Sequence, residues 1–317
     1  MEFDLTAFNE AFPWFFRVVS FAFGAIVGSF LNVCIYRIPK DESIVHPGSH
    51  CACGKPIAWF DNIPILSWLI LRGRARCCGR AYGIRYPAIE LLTALLFLGA
   101  WVTFTPAKAC VIMLFFSMLV CATFIDIDHM IIPDRFSIGG AVIGILLSMF
   151  VPSLHGQHSE FFMLASLKSA TIGLKGVLVG SAIVLWIGLL AEVALKKEAM
   201  GFGDVKLMGA IGAFCGWKGA VFSIFGGAIL GVVGFIVWAI VSRVRGTPEA
   251  AKVAPEPGDA EEDEDGEVEE SRDGPAMGVP IPFGPMLAAG AVIYLLWASP
   301  FVESYYADNI GRLLSMQ

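Results

Sequence analysis

Charge is what this sequence has least of: only 16% of its 317 residues are charged, while 56% are hydrophobic. That balance excludes a soluble domain of this size. The apolar runs lack two-residue alternation, which argues against a closed β-barrel. They recur along the whole chain and are long enough to cross ~30 Å of hydrocarbon as helices. The first run follows Glu2, Asp4 and Glu10, with no basic stretch before it and no small-residue cleavage pattern after it. It is therefore expected to remain as a membrane helix rather than be removed as a signal peptide. No internal repeat with broken helices in corresponding halves is visible, which weighs against a transporter built from repeats. The net charge of -6 carries no message about partners, because residues 249–273 alone hold twelve acidic and two basic side chains.

What is present reads as an all-α, polytopic transmembrane helical bundle. Spans are expected at 14–36, 87–104, 108–125, 135–152, 171–195, 205–216, 219–242 and 282–298, about eight in all, the sixth being short. Between the first two lie Arg37, Lys40, Lys55, Arg72, Arg74, Arg76, Arg80 and Arg85 against only Asp41, Glu42 and Asp61. The positive-inside rule makes that loop cytoplasmic and both termini external. Lys196, Lys197, Arg243 and Arg245 then fall on the cytoplasmic side as well. The expected organisation is a first segment and helix (1–36), a small cytoplasmic cysteine-rich insertion domain (37–86), a transmembrane core (87–246), a disordered acidic cytoplasmic loop (247–278) and a last helix with its tail (279–317).

Four aspartates stand where chemistry is expected. TFIDIDHMIIPDRF places Asp126, Asp128 and Asp134 where the third span meets the cytoplasm, and MGFGDVKLMGAIGAF places Asp204 at the start of the sixth. The chain crosses the membrane twice between Asp126 and Asp204, so both return to one face. A carboxylate at membrane depth is costly and marks a function or a paired site. Two such groups in close approach share one proton, the arrangement of aspartic proteases, where one acid activates water and the other protonates the scissile carbonyl. Gly201 and Gly203 let backbone and substrate approach Asp204, and Lys206 can neutralise charge or reach the head groups. Asp128 and Asp134 read instead as solvated interfacial groups or helix caps. Paired membrane carboxylates also serve proton- or ion-coupled transporters, which is the competing reading.

The cysteines divide in two. Cys34, Cys110, Cys121 and Cys215 lie in apolar runs and read as small buried hydrophobes. Cys51, Cys53, Cys77 and Cys78 share the basic loop and read as a structural zinc site, with His46 or His50 as substitute ligands. Trp59, Trp68 and Tyr86 read as interfacial anchors, and Arg37 to Pro39 and the Arg72 to Arg76 cluster as contacts for lipid phosphates. The loop has no glycine-rich signature of a Rossmann-type cofactor site.

Six ordered blocks carry a resemblance: GSFLNVCIYRIP (28–39), NIPILSWLILRGR (62–74), IRYPAIE (84–90), FIDIDHMIIPD (124–134), GFGDVK (201–206) and PFGPMLAAG (282–290). Together they resemble the bacterial type IV prepilin peptidases, of the GxGD group of intramembrane aspartic proteases. The resemblance implies that Asp126 and Asp204 are the catalytic pair. It further implies removal, at the cytoplasmic face of the inner membrane, of the basic leader from type IV prepilins or the pseudopilins of type II secretion. It implies in addition N-methylation of the new terminus from S-adenosylmethionine, with prepilin or pseudopilin substrates, membrane lipid and the pilus or secretion machinery as partners, and no nucleic acid. No residue is assigned to the methyl donor. An inactive secretion scaffold satisfies the same motifs. The chain departs from the usual family pattern of two C-x-x-C knuckles, having Cys51-Ala-Cys53 and adjacent Cys77-Cys78. The departure bears on metal geometry more than on the peptidase.

Overall fold

The computed structural model describes residues 11–51, 53–196, 201–245 and 282–315. In chain order the helices are α1 (Pro13–Arg37), α2 (Leu66–Leu71), α3 (Arg85–Thr103), α4 (Pro106–His129), α5 (Ile138–Phe150), α6 (Phe162–Leu195) and α7 (Phe202–Arg245). Then come α8 (Gly284–Ile293) and, after one wider turn at Tyr294–Ala298, α9 (Ser299–Ser315). Among the described residues there is no strand, only isolated bridges joining His50 to Pro56 and Arg74 to Ala81. The protein is thus helical and multi-pass, with the cysteine cluster in a small insertion. The acidic loop expected over 247–278, and Lys197, lie outside the described residues.

Local chemistry sets the helix ends. Proline sits in the first turn of α1, α4 and α8, where its missing N–H costs nothing. Met130 and Lys196 adopt left-handed conformations that close α4 and α6, their amides returning to the carbonyls of Asp126 and Glu192.

All eight expected apolar segments are helical, but among the described residues six helices have the length and composition to cross a membrane. The fourth segment is the shorter α5 of 13 residues. The sixth and seventh run together as α7, interrupted at Gly216, whose φ of 68° and ψ of 176° leave the helical region. Gly180 of α6 lies against both Met208 and Ala220, which would stand about 18 Å apart along a straight helix. The chain therefore doubles back at Gly216. Further along, Gly227 meets Met286 of α8, and Gly290 meets Ser223. The helical residues 231–245 are assigned to a second unit.

Packing relies on glycine wherever backbones touch, since lipid supplies no hydrophobic drive between helices. A Cβ at Gly24 or Gly28 of α1 would stand 2.8 or 2.7 Å from the Cα of Ala94 or Glu90, so α1 and α3 run antiparallel in near-contact. Gly176 of α6 and Gly212 of α7 meet backbone to backbone. The most enclosed element is α4: 67% of its apolar window is buried, against 11 to 39% for the other spans. Phe115 of α4 stacks on Phe214 of α7 at 4.4 Å. The acids at the end of α4 are consequently held by the best-packed helix of the bundle.

Candidate active site

Asp126 occupies the last turn of α4 and Asp204 the first turn of α7. The doubling-back at Gly216 and the antiparallel run of α8 bring the start of α8 to the same end. There Gly284 has no room for a side chain: a Cβ would lie 2.6 Å from Oδ2 of Asp126 and 3.2 Å from Cδ1 of Ile132. The Gly284 backbone amide lies beside the Asp126 carboxylate. Asp126 and Asp204 are 6% and 8% exposed, and the charge of Asp126 acts directly on Asp204. Oδ2 of Asp126 is buried with no hydrogen-bond partner among the described residues. An unpartnered carboxylate oxygen in that setting is poised for a water, a proton or a substrate group.

The neighbouring acids are spoken for. Arg85, opening α3, forms a two-pronged bridge to Asp128 at 2.7 and 2.6 Å. Lys206 donates to Asp134 at 2.8 Å and lies over the Phe202 ring. Neither Asp128 nor Asp134 caps a helix through its side chain. Lys206 therefore serves Asp134 and leaves the buried pair without a bonded cation. Gly203 has ordinary helical backbone, and its missing Cβ makes room for Ile132, 3.3 Å from where that atom would be. Gly201 leaves open space, its would-be Cβ meeting nothing nearer than Asp204 Oδ2 at 3.9 Å.

At the cysteine cluster the sulfurs of Cys51, Cys53, Cys77 and Cys78 all lie within 4.8 Å of one another. Cys51 and Cys78 are 3.5 Å apart, Cys53 and Cys77 3.4 Å. Tetrahedral zinc with Zn–S of about 2.3 Å needs sulfurs about 3.8 Å apart, so the donor set fits despite its unusual spacing. The two turns face each other and interleave their thiols. Hydrogen bonding from the Cys53 backbone and then from Cys77 and Cys78 pulls Cys51 down to about 7, whereas sharing with Cys51 pushes Cys77 up to about 12. Neither His46 nor His50 joins the cluster, and the His50 ring is engaged with the Gly48 carbonyl. Of the other four cysteines, Cys34, Cys121 and Cys215 are buried, but Cys110 is exposed, because it points off the packed face of α4 in its first turns.

Sequence reasoning missed Gly284, Ile132 and both ion pairs around the aspartates. Only the PFGP turn before α8 hinted at a backbone brought in close. Trp59 is 81% exposed, in keeping with an anchor. Trp68 is instead a pin inside the loop, donating to the Tyr82 carbonyl and packing on Gly73.

The fold, with its apolar helices long enough to span a bilayer, defines a multi-pass membrane protein. Residues 22–104 match the Bacterial Peptidase A24 N-terminal domain, and residues 113–236 match the Type IV leader peptidase family. A prepilin leader peptidase/N-methyltransferase of Myxococcus xanthus is 34% identical over 94% of this chain and 96% of its own length. One of the same name from Aeromonas salmonicida is 32% identical over 92% and 94%. A type 4 prepilin-like proteins leader peptide-processing enzyme of Escherichia coli is 34% identical over 75% and 89%. No solved structure matches. The chain belongs to the type IV leader peptidase family.

Proposed function

We propose that this chain is a prepilin leader peptidase and N-methyltransferase of the bacterial inner membrane, with Asp126 and Asp204 as its catalytic acids. The supporting observation is the contrast among the four aspartates at one end of the bundle. Asp128 and Asp134 hold cations, while Asp126 and Asp204 are buried beside each other with none. Such a pair carries one proton between its two carboxyls. The ionised member takes a proton from water as the oxygen attacks the scissile carbonyl, and the protonated member donates to the carbonyl oxygen. Collapse of the tetrahedral species breaks the C–N bond, and the leaving amine takes up the proton just removed from water.

The substrates are type IV prepilins or pseudopilins, whose apolar helix lies in the bilayer and whose basic leader reaches the aspartates from the cytoplasm. The loop of residues 37–86 and the acid pair then face the cytoplasm, with both termini outside. The pilus or type II secretion machinery receives the product. Zinc held by Cys51, Cys53, Cys77 and Cys78 would supply four-way cross-linking to a loop too small for its own core. S-adenosylmethionine is the donor that the methyltransferase naming of the relatives suggests. The described residues contain no strand to frame a Rossmann-type cradle, so no residue is assigned to the donor and no step is routed through it.

The test is leader removal from a model prepilin in membranes, read by gel shift and N-terminal mass. Asp126→Asn and Asp204→Asn each lower cleavage by about 10²- to 10⁴-fold, and Asp128→Asn retains most of it. Full cleavage with Asp126 or Asp204 replaced overturns the mechanism. Failure of the wild-type product to gain a methyl mass with S-adenosylmethionine present removes the second activity.

A further inference from the structure

The insertion between α1 and α3 is tied to the side of the α1–α3 hairpin, short of the end of α1. Glu90, only 9% exposed, lies in the second turn of α3, about 7 Å along the axis from Arg85. Its carboxylate accepts the backbone amide of Ile65 at 2.7 Å. Ile65 has φ of 63°, a conformation that a β-branched residue avoids, so this bond fixes the chain where it would not otherwise rest. On the neighbouring helix Gly28 faces Glu90, and α1 continues nine residues further to Arg37, about 13 Å. The segment around Ile65 is therefore tied to helices below the point where the longer one ends.

At that depth the segment turns large apolar side chains outward. Trp59 is 81% exposed, Ile63 40%, Leu66 56% and Ile70 74%, Trp59 on the short turn Trp59–Asn62, Ile63 on the extended link after it, and Leu66 and Ile70 one turn apart on α2. Around them the loop is basic. Of its three acids Asp61 is neutralised by Arg76 through three hydrogen bonds, whereas Arg72, Arg74 and Arg80 are exposed with no ion pair among the described residues. A surface of this charge repels the basic leader of a prepilin, and an apolar face ringed by arginine complements an anionic lipid surface.

We propose that residues 59–71 are an interfacial anchor, with Trp59, Ile63, Leu66 and Ile70 in the acyl boundary of the leaflet and Arg72, Arg74 and Arg80 on anionic head groups. The anchoring is independent of the chemistry at the aspartates.

The experiment uses the full chain in nanodiscs of phosphatidylcholine alone or with about one-third phosphatidylglycerol. A photoreactive p-benzoylphenylalanine replaces Ile70, and cross-linked phospholipid is counted by mass spectrometry. Lipid adducts are expected in both discs, enriched in phosphatidylglycerol beyond its share in the mixed one. Arg72→Gln together with Arg74→Gln lowers that enrichment, each arginine contributing roughly five-fold. Hydrogen exchange over residues 59–71, read on the unlabelled protein, is slower in the mixed discs than in phosphatidylcholine. An adduct-free Ile70 position, with exchange equal in the two discs, overturns the proposal. So does cross-linking to an added prepilin in place of lipid, which makes the face a substrate groove.

Discussion

The cysteine cluster and the aspartate pair set the same physical problem in two places, and the molecule meets it in opposite ways. Each brings together side chains that repel once ionised. The four thiols are gathered by two short turns in an exposed loop, 3.4 to 3.5 Å apart in pairs, where only a cation can hold them all as thiolates. The two carboxyls are buried at helix ends, where, in the proposed mechanism, sharing a single proton would remove the repulsion and leave reactive groups. A site neutralised by metal is stable and inert, while one neutralised by a proton is ready to give it away. Order at the first would come from the proposed ion, whereas order at the second comes from helix packing.

The largest effect that would sharpen this contrast is metal removal. Structural zinc in small domains supplies on the order of 10 kcal/mol. Chelation, or Cys77→Ser, is therefore expected to strip hydrogen-exchange protection from residues 48–82 while α4 stays protected. Equal loss of protection in α4 would show that the two sites are not independently ordered. Next comes Gly284→Ala, which drives a methyl against Asp126 Oδ2. A displacement of this kind at a reacting group costs on the order of 10²-fold in turnover, seen as kcat falling with the melting temperature little changed. Wild-type turnover in that variant would mean that packing does not position the acid.

Arg85→Ala has a smaller effect. It unpairs Asp128, but both partners are partly exposed, so stability falls by about 1 kcal/mol or less and cleavage drops a few-fold in the same gel assay. Lys206→Ala is smallest, within about 0.5 kcal/mol, because Asp134 is 62% exposed and water replaces the lysine. A loss of cleavage as deep as that of the Asp126 variant would return Lys206 to the catalytic machinery.

Much of this was legible in the sequence because membrane crossing is a parity rule. Runs of apolar residues place Asp126 and Asp204 on one face with no knowledge of packing. The cysteines were legible from residue type and shared loop, although their spacing suggested a strained chelate where the structure interleaves two turns. The ion pairs were not legible, since Arg85 meets Asp128 across 43 residues and Lys206 meets Asp134 across 72, and no local pattern encodes which charges pair. Gly284 was hidden for a related reason: its use is the absence of an atom beside a residue on another helix. The reversal at Gly216 was legible, since the break between the spans expected at 205–216 and 219–242 falls beside it, and its backbone angles and the neighbours of Gly180 agree.

The near-contact of α1 and α3 has one more implication, for how such a chain can be altered. Gly24 and Gly28 seat the two helices against each other, and Asn32 of α1 donates to the Tyr86 carbonyl at the foot of α3. The stretch between them leaves and re-enters a hairpin already closed beneath it. It is a cassette on a clasp, so its length and content can drift, or be traded for a short linker, without reopening the bundle that holds the aspartates.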